Sequence, residues 1–211
     1  AFEFADKAHM GQTRASGEPY IQHCLYTALQ LAGLKLDTAT IASGLLHDVP
    51  EDCDVPLATI EKEFGNEVAT IVNGITKLGK LKYRGMERYV ENLRKMMLAM
   101  ADDVRVIFVK FCDRIHNLRT LDAVKSEKQK RIAQESIEIF AVIANRLGMG
   151  ELKGELEDLA FPYAHPKDYA RSKTLFDAKV KIKQPYVDRF ITQIKPKLSG
   201  HMSGPYEIHG R

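Results

Sequence analysis

Apolar residues recur along this chain at intervals of three and four, the period of one face of an α-helix, with no stretch of the strict alternation that marks a half-buried strand. Ile21, Leu25, Ala28 and Ala32 form one such stripe, Val68, Ile71, Val72 and Ile75 a second, and Ile137, Phe140, Ala144 and Leu147 a third. The punctuation agrees: Gly17 to Pro19 precedes a helix, Asp37 is placed to cap another that runs through Leu46, and Gly148 stops a long one that starts near Ser126. From Asp103 to Ile115 the chain is apolar round most of a helical circumference, with Val104, Val106, Ile107, Phe108, Val109, Phe111 and Cys112, which predicts a central helix. The expected fold is therefore all-α.

The pattern changes after Gly150. Glu151 to Asp158 is acidic and helical, Pro162 and Pro166 interrupt it, and Lys173 to Lys197 is basic with scattered apolar positions. These features divide the chain into a helical domain over 1–147 and connecting helices over 148–211. The start at Ala1 and the segment from Ser203 to Arg211 suggest a piece of a longer protein.

One stretch breaks the division between apolar core and polar surface. The helix carrying Ile41, Ala42, Leu45 and Leu46 ends in His47 and Asp48, with Glu51 and Asp52 just beyond, so polar groups gather where burial is expected and must be compensated. A metal ion is the leading compensation. His23 and Asp113 are the other candidate ligands, but 24 residues separate His23 from His47 and 65 separate Asp48 from Asp113, so only the tertiary fold can assemble them. Taken alone, His23 falls opposite the stripe of its own helix and reads as a surface histidine, and Asp113 could simply pair with Arg114 or Arg119. Together the two imidazoles and two carboxylates form a mixed nitrogen and oxygen set suited to manganese, iron or magnesium, able to polarise a phosphoryl group and acidify water. Glu51 and Asp52 are then placed to act on that water.

Composition narrows the field. With 211 residues, 45% of them hydrophobic, the chain can bury a core, and its net charge of +3 is far below that of a dedicated nucleic-acid binder. No apolar run is long enough for a membrane span and no secretory leader is recognisable, so a cytoplasmic protein is expected. Three cysteines, Cys24, Cys53 and Cys112, have no paired short spacing and read as reduced thiols. Arg14, Lys77, Lys80, Lys82 and Arg84 could supply positive charge to an anionic substrate.

Several segments, in order, carry a resemblance. They are His9-Met10-Gly11-Gln12-Thr13-Arg14, Ser16-Gly17-Glu18-Pro19-Tyr20-Ile21 leading to His23, Leu45-Leu46-His47-Asp48 with Glu51-Asp52, and Thr76-Lys77-Leu78. Glu91-Asn92-Leu93-Arg94-Lys95-Met96, Asp113 through Leu121, Arg146-Leu147-Gly148 and Glu155 through Phe161 follow. Nearly the whole chain resembles the hydrolase half of the RelA/SpoT homologues, HD-type enzymes that break down the stringent-response alarmones guanosine tetraphosphate and pentaphosphate, (p)ppGpp. The resemblance implies an all-α HD-domain phosphohydrolase fold with additional C-terminal connecting helices, and manganese held by His23, His47, Asp48 and Asp113. It implies that Glu51 and Asp52 act on the attacking water, that Arg14 and Ser16 meet the base, and that Asn117 and Thr120 meet the ribose and phosphates. The implied reaction removes the 3′ pyrophosphate, giving GDP or GTP. The implied partner is a synthetase domain, whose opening motif Gly210-Arg211 would begin; neither membrane nor nucleic acid is expected to bind.

Departures from the family pattern leave two other readings. Ala15 stands where many active hydrolases carry a second basic residue, and Pro50 interrupts the stretch between Asp48 and Glu51, where proline lacks a backbone donor and disfavours a helical residue before it. Both substitutions motivate an inactive or weak regulatory module coupled to a synthetase. Shared HD chemistry also allows a phosphohydrolase of another nucleotide. Cys53 stands where threonine is common and Cys112 where alanine is common, and both read as inert buried thiols.

Overall fold

The computed structural model describes residues 1–79, 85–199 and 208, with the side chains of 78, 79, 85–89, 91–93 and 199 excepted. Lys80, Lys82, Arg84 and the Gly210-Arg211 pair fall outside the described residues. All regular elements among those described are helical, apart from one isolated bridge between Thr13 and Pro19. The chain divides into two compact units, 1–164 and 165–211.

The first unit opens with α1 (Phe2–Ala8), followed by a tight loop and α2 (Ile21–Gly33). Gly17 takes a φ of +87° in that loop, where Gly17 N–H donates to the Arg14 carbonyl and Arg14 N–H to the Glu18 carbonyl, so the chain doubles back and presents Arg14 and Ser16 at its tip. Helix α3 (Thr38–Leu46) starts at Asp37, whose carboxylate accepts the Thr40 backbone N–H at 3.0 Å and the Thr40 hydroxyl at 2.6 Å. The short α4 (Val49–Asp52) follows at once. Pro50 lies in its first turn, where a missing N–H costs nothing, and Glu51 and Asp52 donate their N–H groups to the Asp48 carbonyl at 3.1 and 2.9 Å. The proline therefore preorganises the turn between the His47-Asp48 and Glu51-Asp52 pairs.

Helix α5 (Leu57–Gly79) is broken at Gly65, whose φ of +86° is non-helical, and it buries the predicted Val68, Ile71, Val72 and Ile75 stripe. Helix α6 (Gly85–Asp102) leads into α7 (Arg105–Arg119), which buries Val106, Ile107, Val109, Phe111, Cys112, Ile115 and Leu118 on several sides. It is the predicted central helix, packed against α2, α3, α5, α6 and α10. A 3₁₀ turn (Leu121–Ala123) joins it to α8 (Ser126–Glu135), a π-helical turn (Ser136–Ala141) and α9 (Val142–Arg146), which form one continuous rod. The rod stops in a Schellman motif: Gly148, at φ +74°, donates to the Asn145 carbonyl and Met149 to the Ala144 carbonyl. Phe140 and Ala144 of the predicted stripe are buried together with Ile139 and Ile143, while Leu147, just past the end of α9, is 42% exposed.

Helix α10 (Gly150–Ala164) buries Leu152, Leu156, Ala160 and Ala164, a four-residue stripe facing α7 and α8. In the second unit, α11 (Pro166–Ser199) carries Pro185 and Pro196 and leaves Leu175, Phe176, Ile182, Tyr186 and Phe190 exposed.

Helices α2 and α3 cross so closely that a Cβ on Gly44 would lie 2.5 Å from Leu31 Cδ1 and 3.4 Å from Ala28 Cα. Leu31 is fully buried and cannot swing clear. Gly44→Ala is expected to lower unfolding free energy by about 1–3 kcal/mol, the usual cost of overpacking, measured by urea denaturation.

Candidate metal centre and adjoining cleft

Three parts of the fold converge on one point. Helix α2 contributes His23, the α3–α4 junction His47 and Asp48, and α7 contributes Asp113. His23 and His47 are fully buried and Asp113 is nearly so. His23 Nε2 lies 3.4 Å from Asp48 Oδ2 and 3.3 Å from Asp113 Oδ1, and His47 Nε2 lies 3.2 and 4.0 Å from the same two oxygens. Despite this proximity, neither Nε2 has a hydrogen-bond partner of good geometry among the described residues. His23, His47 and Asp113 offer ligand atoms all within 4.8 Å of one another, a group able to hold a metal ion. Two orphaned imidazole nitrogens aimed at shared carboxylates suit a cation that accepts their lone pairs.

The surroundings aim these groups. His47 Nδ1 donates to the Gly44 carbonyl at 2.8 Å, so in the neutral ring the lone pair is on Nε2. Asp113 is fixed on both sides: Asn117 Nδ2 donates to Oδ1 at 2.5 Å and Lys110 Nζ to Oδ2 at 2.9 Å. Tyr20 places its hydroxyl 2.9 Å from Asp48 Oδ2 and 2.7 Å from Asp52 Oδ2, so it joins the candidate ligand to the acidic pair. Burial alone would raise the Asp48 and Asp113 carboxyls, but His47 beside the first and Lys110 beside the second, with both histidines, hold them well below the usual carboxylate range. Burial alone would lower His47, yet Asp48 and Asp113 outweigh it and bring the imidazole up to about 9. Burial, then Asp48 and Asp52, push the Tyr20 phenol upward, so it stays a hydroxyl donor.

Beside the centre lies a cleft of about 290 Å³ whose lining includes Arg14, Ser16, Tyr20, Asn117, Thr120 and Lys128. Asp113, His116, Asn117 and Thr120 are spaced i, i+3, i+4 and i+7, so one face of α7 supplies both a metal-facing carboxylate and the wall of the cleft. Arg14 donates to Asn117 Oδ1 and lies over the Tyr20 ring at 5.2 Å. The structure thus gathers Arg14, Ser16, Asn117 and Thr120 into one cleft, whose lining also includes Ala15. Lys77 lies elsewhere, in a cavity of about 450 Å³ between α5, α6 and α7 that Arg94 and Lys95 also line. Asp52 is exposed, and Gln12 Nε2 donates to its backbone carbonyl at 2.8 Å; Glu51, also exposed, lies on the same turn.

The reading of His23 taken alone changes. His23 is not on the surface, because α2 packs against α3 on one side and α7 on the other and buries more of its circumference than its apolar stripe covers. Tyr20, Lys110, His116 and Lys128 were not singled out from the sequence as site residues; for Lys110 and His116 the signal was their three-residue spacing either side of Asp113 on an apolar helix. No disulfide forms, and Cys24 and Cys112 are buried thiols that burial pushes upward, Cys112 to about 12, whereas Cys53, expected to be buried, is only half-buried and its Sγ lies 3.1 Å from His9 Nδ1.

This all-helical fold with its histidine and aspartate cluster defines an HD domain, and the chain belongs to the HD-domain family, whose model matches residues 1–150. Within it, the chain is 45% identical over 212 residues to a probable guanosine-3′,5′-bis(diphosphate) 3′-pyrophosphohydrolase of Synechocystis, covering 100% of this chain and 28% of that protein. It is 42% identical over 212 residues to the bifunctional (p)ppGpp synthase/hydrolase SpoT of Escherichia coli K12, covering 100% and 30%, and 44% identical over 216 residues to a GTP pyrophosphokinase of Myxococcus xanthus, covering 98% and 28%. The chain spans under a third of the length of these relatives. A solved structure, reported as a metazoan ortholog of SpoT that hydrolyzes ppGpp and plays a role in starvation responses, shares the fold with a TM-score of 0.54 at 23% identity, over 78% of this chain and 93% of that one. No helix among the described residues is long and apolar enough to cross a membrane.

Proposed function

We propose that this chain is a manganese-dependent hydrolase that removes pyrophosphate from the 3′ position of guanosine tetraphosphate or pentaphosphate. The carrying observation is the pair of orphaned histidine nitrogens facing Asp48 and Asp113, one helical turn from a cleft that holds Arg14, Asn117 and Thr120. Relatives that act on this nucleotide, similar along the full chain, support the choice of substrate.

His23, His47, Asp48 and Asp113 would hold the ion. When bound, a divalent ion of this kind polarises a phosphoryl oxygen and acidifies water. The protein supplies the rest. Asp52, with Glu51 beside it on α4, receives a proton from the attacking water, and Tyr20 steers the Asp52 carboxylate. Arg14 is released from Asn117 to meet the nucleotide, with Ser16 near the base, while Asn117 and Thr120 orient the ribose and phosphates. Residues 148–211 are proposed as connecting helices that lead to a synthetase domain in a longer cytoplasmic protein.

Incubation of the chain with ppGpp and Mn²⁺ is expected to release pyrophosphate and GDP. Protein that binds manganese and ppGpp without turnover would instead support the regulatory-module reading motivated by Ala15. Metal also carries a stability signature, because the buried His-Asp cluster gains its partner only on binding. At Mn²⁺ a hundredfold above Kd, the folded state should gain about 2.7 kcal/mol, a rise in Tm that a chelator reverses.

A further inference from the structure

His116 is buried, 7% exposed, on the same face of α7 as Asp113, one turn further on. Its Nδ1 lies 2.8 Å from Nδ1 of His23, with ring centroids 4.8 Å apart. The His116 ring also packs against Tyr26, with centroids 4.6 Å apart. Tyr26 is itself held, accepting from Gln30 Nε2 at 3.0 Å and lying under the Arg119 guanidinium at 5.1 Å, and Arg119 pairs with Glu155 of α10. His116 thus contacts both a candidate metal ligand and a fixed aromatic ring.

Two imidazole nitrogens at hydrogen-bond distance require that one carries the proton and the other the lone pair. If His116 carries the proton on Nδ1, His23 accepts it and must, as a neutral ring, bear its own proton on Nε2, where it points at Asp48 and Asp113 and blocks a cation. If His116 presents a lone pair, His23 donates from Nδ1 and its Nε2 lone pair faces those carboxylates. Only the second arrangement binds metal. His47 obtains the same orientation from the Gly44 carbonyl, an acceptor with no second state. The His23 carbonyl is engaged by the Thr27 hydroxyl at 3.0 Å.

We propose that His116 is the positioning residue of the metal centre, accepting the His23 Nδ1 proton through its own Nδ1 and so directing the His23 Nε2 lone pair to the ion. This inference rests on the metal-dependent reading above. It assigns no contact between His116 and substrate.

The test compares wild type, His116→Asn, whose side-chain oxygen can take the place of Nδ1 as acceptor, and His116→Leu, which cannot accept. By calorimetry, Mn²⁺ affinity is expected to fall roughly 10–100-fold in the leucine variant, the usual cost of removing such a partner, and to stay within a few-fold of wild type in the asparagine variant. Lost ppGpp hydrolysis in the leucine variant should return at saturating Mn²⁺, as a pure affinity defect requires. Equal affinity in wild type and His116→Leu overturns the proposal, as does equal loss in both variants. Nitrogen-15 spectra of wild-type imidazoles with Zn²⁺ as a diamagnetic probe give a reading free of any folding defect: an Nε2–H tautomer of His116 supports the proposal, and an Nδ1–H tautomer overturns it. Wild type that binds no divalent ion overturns the metal reading itself, a result distinct from a wild type that binds metal with an affinity insensitive to residue 116.

Discussion

Asp113→Ala is expected to abolish pyrophosphate release and to destabilise the fold at the same time, because one carboxylate serves both. Its Oδ1 faces His23 Nε2 at 3.3 Å and accepts from Asn117, and its Oδ2 accepts from Lys110 at 2.9 Å. A metal ion contributes several kcal/mol of transition-state stabilisation, and each 1.36 kcal/mol is tenfold in rate, so losing a ligand should cost about 10³-fold or more. The stability effect follows from Lys110, whose side chain is only 17% exposed and whose raised pKa reflects Asp113 and Asp48 overcoming its burial. Stranding one partner of a buried pair costs about 3–5 kcal/mol, and the partial exposure of Lys110 places the expected loss at the lower end. Asp113→Asn separates the two effects. It retains volume and an oxygen for Lys110, so urea denaturation should show a smaller loss, whereas hydrolysis should fall as far as in the alanine variant. An asparagine variant as active as wild type would remove Asp113 from the ligand set.

The double role of Asp113 shows what a sequence can and cannot disclose. Helix α7 announces itself by being apolar nearly all round, and a carboxylate in such a helix demands a partner. The partner's identity is a tertiary fact. Asp37 was legible as a cap because capping is local, and so was Gly148, where only a residue tolerant of positive φ ends the rod. Taken alone, His23 reads as exposed because one apolar stripe predicts one buried face; only the joint pattern with His47, Asp48 and Asp113 points to the buried position it holds. Pro50 raises the question of how the turn between Asp48 and Glu51 is set, because proline lacks a donor and disfavours a helical residue before it. The chain ends α3 at Leu46, as its sequence predicts, and starts a new short helix at Val49, and the first turn of a helix is where proline belongs. Tyr20 gave no sign of its role, because its hydroxyl matters only once the loop from Gly11 to Pro19 has folded it against α4.

That hydroxyl makes the second large effect separable from the first. Asp52→Asn is expected to reduce kcat by about 10²–10⁴-fold, the range for loss of a positioned proton acceptor, while leaving Mn²⁺ affinity close to wild type, since Asp52 lies outside the four converging ligands. Tyr20→Phe should behave in the opposite way. It keeps the ring stacked on His9, at 4.5 Å and nearly parallel, and removes only the oxygen that touches Asp48 Oδ2 and Asp52 Oδ2. A phenol has one proton to share between two carboxylates, so its loss frees Asp48 from a partner that holds it toward the ion and should weaken Mn²⁺ about 10–100-fold. The kcat of Tyr20→Phe at saturating metal then reports how much the steering of Asp52 matters by itself. If Asp52→Asn keeps near wild-type turnover while Glu51→Gln does not, the proton goes to Glu51, and Asp52 becomes a brace whose carboxylate holds the Tyr20 hydroxyl against the metal ligand.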